Sequence, residues 1–315
     1  MAMTEPLVIT DKNQMRQWSR SMRAQGKTIG LVPTMGYLHE GHLSLVREAH
    51  QRTHVIVVSI YVNPGQFAPT EDLSTYPSDF SGDIKKLNSV PGGVHVVFHP
   101  HNLYDYGAGK EERIEKEKEK KGDGDVSCLD NSGLGHETWI KVHNLEKGMC
   151  GKSRPIFFRG VATVVAKLFN IVEPDIAFFG KKDYQQWRII QRMVRDLDFG
   201  IEVVGSEIVR DADGLALSSR NVYLSPELRT QALSINQSLY QAKRLAENGE
   251  ANSIKLRDSV VHSIEEAGGK IDYVEVVDQE NLEAVEETIV RPVVFCIAAW
   301  FGKVRLIDNM EMISV

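Results

Sequence analysis

Hydrophobic positions fall in short, nearly unbroken runs through the first two thirds of the chain: Thr28–Pro33, His54–Val62, Val94–His99, Asp175–Phe179 and Ile201–Val204. Runs of this length, rich in Val, Ile and Phe, predict strands buried on both faces. Between several of them lie helix-length amphipathic segments, notably Leu43–Arg52, Phe80–Leu87, Val161–Val172 and Tyr184–Leu197. Strands alternating with helices predict an α/β fold, a Rossmann-like, doubly wound parallel sheet covered on both faces. Ligands of such sheets bind beyond the carboxyl ends of the strands, where Pro33–His42 and Gly180–Asp183 fall.

After about Glu207 the texture changes. Pro226–Glu247 and Ser253–Gly268 read as two helices, followed by strands near Asp272–Asp278, Val293–Ala299 and Lys303–Asp308. This predicts a smaller C-terminal α+β domain over 208–315, joined to a sheet domain over 1–207. The join, Arg210-Asp-Ala-Asp-Gly-Leu-Ala-Leu-Ser-Ser-Arg-Asn221, is a polar, glycine-containing link suited to a hinge or lid. Tyr104–Gly135 breaks the alternation. Within it Lys110–Lys121 holds six basic and five acidic residues, and the stretch reads as a solvated, mobile loop.

Composition narrows the classes. With 315 residues, 42% hydrophobic and 25% charged, the chain is an ordinary globular protein of one large domain and a companion. A formal charge of −6 argues against nucleic acid as a partner. Cys128, Cys150 and Cys296 form neither a Cys-x-x-Cys unit nor an even disulfide set, which points to a reducing compartment. The longest apolar run, Val293–Phe301, is well short of the roughly 20 residues a membrane helix needs. The N-terminus also lacks a signal-peptide pattern, so a cytoplasmic location without membrane attachment is expected.

Chemistry concentrates where strands end. In Leu31-Val-Pro-Thr-Met-Gly-Tyr-Leu-His-Glu-Gly-His42 a strand runs into a turn and then sets His39 and His42 on one helix face. Gly41 between them leaves room for a flat ring beside a helix N-terminus that favours phosphate. Two polar residues on an exposed helix turn are the plain alternative. Asp175-Ile-Ala-Phe-Phe-Gly-Lys-Lys-Asp-Tyr-Gln-Gln186 repeats the plan, strand then glycine turn, with Lys182 placed to reach a phosphate. Asp183 suits a ribose hydroxyl or, equally, an ordinary helix cap. Leu217-Ser-Ser-Arg220 offers two hydroxyls and a guanidinium. Val62-Asn-Pro-Gly-Gln-Phe67 offers the uncharged amides of Asn63 and Gln66, suited to a small polar acid, or else a turn capped by Asn63.

Other signatures fail. Gly151-Lys-Ser153 lacks the first glycine of a P-loop, Glu146 standing in its place, and His39-Glu-Gly-His42 is one residue short of the zinc-protease spacing. Gly133-Leu-Gly135 lacks the third glycine of a dinucleotide fingerprint, Thr138 standing there.

The segments VPTMGYLHEGH, VSIYVNPGQF, FFRGVATVVAKLFNIVEPDIAFFGKKDYQQ and DGLALSSRNVYLS, in this order, resemble the pantothenate synthetase family. These are adenylate-forming members of the nucleotidylyltransferase superfamily, related to class I aminoacyl-tRNA synthetases. The resemblance implies that pantoate and β-alanine are joined with ATP, giving pantothenate, AMP and pyrophosphate through a pantoyl adenylate. It implies Mg2+ carried by the ATP phosphates, with no metal site of the protein's own, and a homodimer.

By the same resemblance His39 and His42 correspond to the His-x-Gly-His signature, and Leu217, Ser218, Ser219 and Arg220 to the second, mobile phosphate-binding signature. His39, His42, Lys182 and Arg220 become the catalytic candidates, meeting the charge that gathers on the phosphoryl oxygens. Gln66 and Gln186 would grip pantoate, Gln66 also bordering β-alanine, with Asn63, Met35 and Tyr76 lining the pocket. Backbone at Gly180 and Val209, with the Asp183 carboxylate and Gly41, would hold the nucleotide. Lys181 stands where many members have glutamate, adding positive charge near the nucleotide. Phe157 stands where bacterial members often have histidine. The long charged loop resembles plant members. A nucleotidylyltransferase stopping at a nucleotidyl product and a nucleotide-binding regulator without turnover remain the alternatives.

Overall fold

Strand pairing places the carboxyl ends of two distant segments side by side, and the rest of the fold serves that meeting. The computed structural model describes residues 5–104, 126–130 and 136–312. Its first unit comprises β1 (Leu7–Ile9), α1 (Lys12–Ala24), β2 (Ile29–Thr34), α2 (Glu40–Arg52), β3 (Val55–Ile60), α3 (Phe80–Ser89), β4 (Val96–Phe98), α4 (Met149–Ser153), α5 (Phe157–Val172), β5 (Ile176–Gly180), α6 (Tyr184–Asp196) and β6 (Glu202–Ser206). All six strands are parallel, in the order β1-β4-β3-β2-β5-β6. Leu31 pairs with Ala177, so the chain order reverses between β2 and β5, where a parallel sheet opens its crevice.

Alternation along the buried strands explains the two covered faces. Leu31, Val55, Val57, Ala177 and Phe179 join one core with Met15 of α1, most of α5, and Ile190 and Met193 of α6. Val32, Ile56, Val58 and Phe178 join the other with Leu43, Leu45, Val46 and Ala49 of α2 and Leu87 of α3. Side chains one residue apart thus serve opposite cores, as strand geometry requires.

The second unit follows: α7 (Pro226–Glu247), α8 (Ser253–Glu266), β7 (Lys270–Asp278), β8 (Val293–Phe301) and β9 (Val304–Met312). Its three strands are antiparallel in the order β7-β8-β9. On one face Phe295, Ile297 and Phe301 pack with Ile235 and Leu239 of α7 and Val260 of α8. On the other, Val294 and Cys296 pack against Met149 and Tyr184, which belong to the parallel-sheet unit.

Several expectations change. β1 and α1 precede the first predicted strand. Strand β1 has only Leu-Val-Ile to show, and α1 is largely polar, burying Met15 and Ser19. Strands β8 and β9 run on to Phe301 and Met312, past the predicted ends at Ala299 and Asp308. Of the predicted loop Tyr104–Gly135, positions 105–125 and 131–135 lie outside the described residues. Its first residue is not solvated: Tyr104 is fully buried and its hydroxyl donates to Asn63 Oδ1 at 2.9 Å. Ser127 and Leu129 are buried too. Among the described residues no helix is long and apolar enough to cross a membrane.

Helix α5 lies directly on the turn that carries Gln66. A Cβ on Gly160 would stand 2.2 Å from the Gly65 carbonyl oxygen and 2.6 Å from Gln66 Cα, both backbone atoms with little freedom to yield. The Gly160 carbonyl also accepts Asn63 Nδ2 at 3.1 Å. Gly160→Ala should therefore lower unfolding free energy by about 1–3 kcal/mol, the usual cost of overpacking a close contact. Denaturant titration checks it; an unchanged midpoint would contradict the close packing.

Candidate active site

Past the end of β2 the backbone turns through Gly36 (φ +85°) and Tyr37 (φ +50°), both in the left-handed region. A buried carboxylate on α3 holds the turn: Asp83 accepts the Tyr37 and Leu38 N–H groups at 2.8 and 2.6 Å. Lys86, one helical turn on, donates to the Leu38 carbonyl at 2.7 Å. The next residue is His39. Asp83 was invisible as a site residue in the sequence, where an acid near a helix start reads as solvated.

His39 does not lie on the helix with His42 but caps it. Its Nδ1 accepts the Gly41 N–H at 3.2 Å, while His42 Nδ1 accepts the His39 N–H at 3.3 Å, a reciprocal capping box made by two imidazoles. The ring centroids are 4.1 Å apart. Gly41 is needed by this packing itself, since a Cβ there would meet the His39 ring at 3.0 Å.

Burial, then the nearby Lys182 ammonium, lowers His39 to a pKa of about 4. Burial, then His39 and Lys182, lowers His42 well below the ordinary value. With both Nδ1 atoms accepting, each ring is neutral and presents Nε2–H. The histidines are therefore neutral hydrogen-bond donors.

At the neighbouring strand end, a 3-10 turn over Lys181–Asp183 leads into α6. Asp183 makes no side-chain cap bond, so the plain reading of it as a cap is not realised; its nearest ion-pair contact is Lys182 Nζ at 3.7 Å. The adjacent glutamines divide the work. Gln185 is buried and spends its amide on Leu145, Gly148 and Cys150 backbone, whereas Gln186 faces the cavity.

In the segment after β3, Asn63 caps its turn. Its oxygen accepts Gly65 N–H and Tyr104 O–H, and its amide donates to Gln66 Oε1 at 2.9 Å and to the Gly160 carbonyl. With two donors and two acceptors engaged, Asn63 positions Gln66 and keeps no hydrogen bond for a ligand. Gln66 in turn places Nε2 3.3 Å from Met35 Sδ. The third segment lies between the two units. Ser218 accepts the Arg220 N–H at 3.3 Å, and Arg220 forms a two-pronged pair with Asp72, both contacts at 3.1 Å. Tyr76 O–H lies 3.4 Å from Ser219 Oγ. The Val209 carbonyl is taken by the Leu217 N–H at 3.0 Å.

All these segments open on one cavity of about 1390 Å³, and every candidate residue named from the sequence lines it. Glu71, Asp72, Arg154, Asp272 and Arg305 line it too and were not anticipated. On its wall Arg154 pairs with Glu71 at 2.5 Å and Arg305 with Asp272 at 2.7 Å. Among the described residues no group of three or more His, Cys, Asp or Glu could hold a metal ion.

The model of the family described as pantoate-beta-alanine ligase matches residues 7–311. The chain belongs to the pantoate–β-alanine ligase family. It is 68% identical over 308 residues to a pantoate–β-alanine ligase of Lotus japonicus, covering 98% of this chain and 99% of that one. To the Arabidopsis thaliana enzyme of the same name it is 66% identical, with 98% of both chains covered. A crystal structure of pantothenate synthetase from Thermus thermophilus superposes with a TM-score of 0.79 at 36% identity, covering 96% of this chain and 98% of that one. The ligase of Francisella tularensis, crystallised with beta-gamma ATP and beta-alanine, gives 0.73 at 30% identity and 97% coverage of each.

Within this ligase family the two noted departures take definite places. Lys181 turns to Glu207 at 2.6 Å and Glu311 at 2.9 Å and lies outside the cavity lining. Two carboxylates offset its charge, one of them on β9. Phe157 lines the cavity with the Arg154 guanidinium 3.9 Å above its ring. This cation–π contact is worth about 0.5–2 kcal/mol.

Because the folded state holds His39 neutral down to about pH 4 while the unfolded chain protonates it near 6.5, its stabilising contribution is complete above pH 6.5 and lost as pH falls from 6.5 to about 4. Thermal melts should fall more steeply across that interval for the native chain than for His39→Asn; parallel slopes would contradict the neutral pair. Asp83→Ala strands two backbone donors, at about 1–3 kcal/mol each, and should lower both stability and turnover. A variant as stable and active as the native chain would refute its hold on the turn.

Proposed function

We propose that the chain condenses pantoate with β-alanine in two steps at the cavity between β2, β5 and the returning loop. The observation that carries this reading is the convergence of His39, His42, Lys182 and Ser218–Arg220, from three separate segments, on one space. In the first step a pantoate carboxylate oxygen attacks the α-phosphorus of ATP and the bond to the β-phosphate oxygen breaks, releasing pyrophosphate. In the second the β-alanine amine attacks the pantoyl carbonyl, the acyl–oxygen bond breaks, AMP leaves, and the nitrogen gives up its proton.

The groups suit these steps. Charge grows on the phosphoryl oxygens in the first transition state, and fixed donors aimed there lower the barrier more than mobile water does. Lys182 supplies an ammonium and His39 and His42 supply Nε2–H bonds without the cost of burying two further cations. Ser218, Ser219 and Arg220 supply the other side, Arg220 exchanging Asp72 for phosphate oxygens.

Gln66, held by Asn63, and Gln186 orient pantoate, with Met35 and Tyr76 closing the pocket. Gly180, Val209, Gly41, Leu217 and Asp183 hold the nucleotide. Magnesium, arriving on the triphosphate, would offset its charge. In this reading residues 1–207 bind nucleotide and pantoate and 208–315 form a lid.

With ATP, magnesium, pantoate and β-alanine, AMP and pyrophosphate should appear together and depend on every component. No AMP with all present would overturn the reading. Lys182→Ala and His42→Ala should each lose at least about 100-fold in rate, the scale of one transition-state donor. A loss below about threefold in either would remove that residue from the chemistry.

A further inference from the structure

Strand β9 carries Asp308 and Asn309 side by side, both buried, in the antiparallel sheet of the second unit. Neighbouring residues of a strand point to opposite faces. Asn309 shares the face of Glu311 and reaches the turn after β5: its Nδ2 donates to the carbonyl oxygens of Lys181 at 2.8 Å and Lys182 at 2.9 Å. Both amide hydrogens are thus spent on the turn from which Lys182 enters the cavity.

Asp308 serves the other face. Its two oxygens accept Arg210 Nη1 and Nη2 at 2.6 and 2.9 Å, and Oδ1 also accepts the N–H of Asn309 at 2.8 Å. Arg210 donates to the Gly214 carbonyl as well, and pairs with Ala216 across the ribbon that leads into Ser218–Arg220. Two consecutive residues therefore tie together the segments that carry Lys182 and Arg220.

The residue types fit that task. A neutral amide satisfies two carbonyls without altering the charge beside the ammonium, which a carboxylate would cancel and a lysine would crowd. Donors fixed before substrate arrives need no reorganisation when charge develops.

We propose that Asp308 and Asn309 are positioning residues that set the spacing of Lys182 and Arg220 around the bound triphosphate. This rests on the two-step reading above. A double-mutant cycle between Asn309 and Lys182 separates positioning from general structural support. Asn309→Ala should slow the pantoate-dependent ATP–pyrophosphate exchange about tenfold in the native background and by less than twofold when Lys182 is already alanine. Equal losses in both backgrounds, or a native-background loss under twofold, would overturn the proposal.

Should Asn309→Ala fail to fold, Asn309→Ser, which keeps one donor, should show an intermediate loss of about threefold that again vanishes with Lys182→Ala. Asp308→Asn, cycled in the same way against Arg220→Ala, should behave alike; multiplicative losses would overturn the Asp308 half. If the native chain shows no pantoate-dependent exchange, the functional reading fails, and the cycle is then read on ATP binding alone. There Asn309→Ala should weaken ATP only while Lys182 is present, and weakening in both backgrounds overturns the positioning role.

Discussion

The parallel pairing of β2 with β5 is the contact on which the rest depends. It sets the turn beginning at Met35 beside the turn beginning at Lys181, at the one place where the strand order reverses. One turn offers two neutral imidazoles, the other the Lys182 ammonium. Side by side they make a surface that can meet a phosphate from two directions. The apolar packing of both sheet faces fixes this pairing, because a slip of one residue would send Leu31 and Val32 into the wrong cores.

Charge in the cavity is sparing and mostly paired. Arg154, Arg220 and Arg305 each face a carboxylate, and the imidazoles are held neutral by burial and by Lys182. A cavity lined with unpaired cations would repel itself and cost stability before any substrate arrived. In the proposed reading, Arg220 exchanges an internal carboxylate for a phosphate oxygen and so avoids that cost. The second unit takes part in this economy through the ribbon after Val209 and through β9, whose side chains reach the segments that carry Lys182 and Arg220.

Much of this was legible in the chain. Strands β2, β3 and β5 are buried on both faces and so appear as continuous apolar runs, and glycine turns after β2 and β5 mark where chemistry follows. Short β1 and polar α1 carry too little apolar signal to be seen. Roles that depend on distant contacts were also hidden. Gln185 and Gln186 look alike until one is found bonded to the Leu145 and Gly148 carbonyls, and Asn63 looks like a ligand group until Tyr104 and Gly160 take its bonds. The charge state of His39 and His42 follows from the depth of burial, which no spacing reveals. Asp83 and Asn309 act through backbone groups far away in sequence and Asp308 through the Arg210 side chain, and nothing local distinguishes them from solvated polar residues.

A crystal structure of the protein grown with a non-hydrolysable ATP analogue and pantoate would test the central claim most directly. The account predicts Lys182 Nζ, a histidine Nε2 and the Arg220 guanidinium all within about 3.5 Å of oxygens of one triphosphate, with the pantoate carboxylate facing its α-phosphorus. A triphosphate bound elsewhere, with Lys182 still against Asp183 and Arg220 still against Asp72, would contradict it.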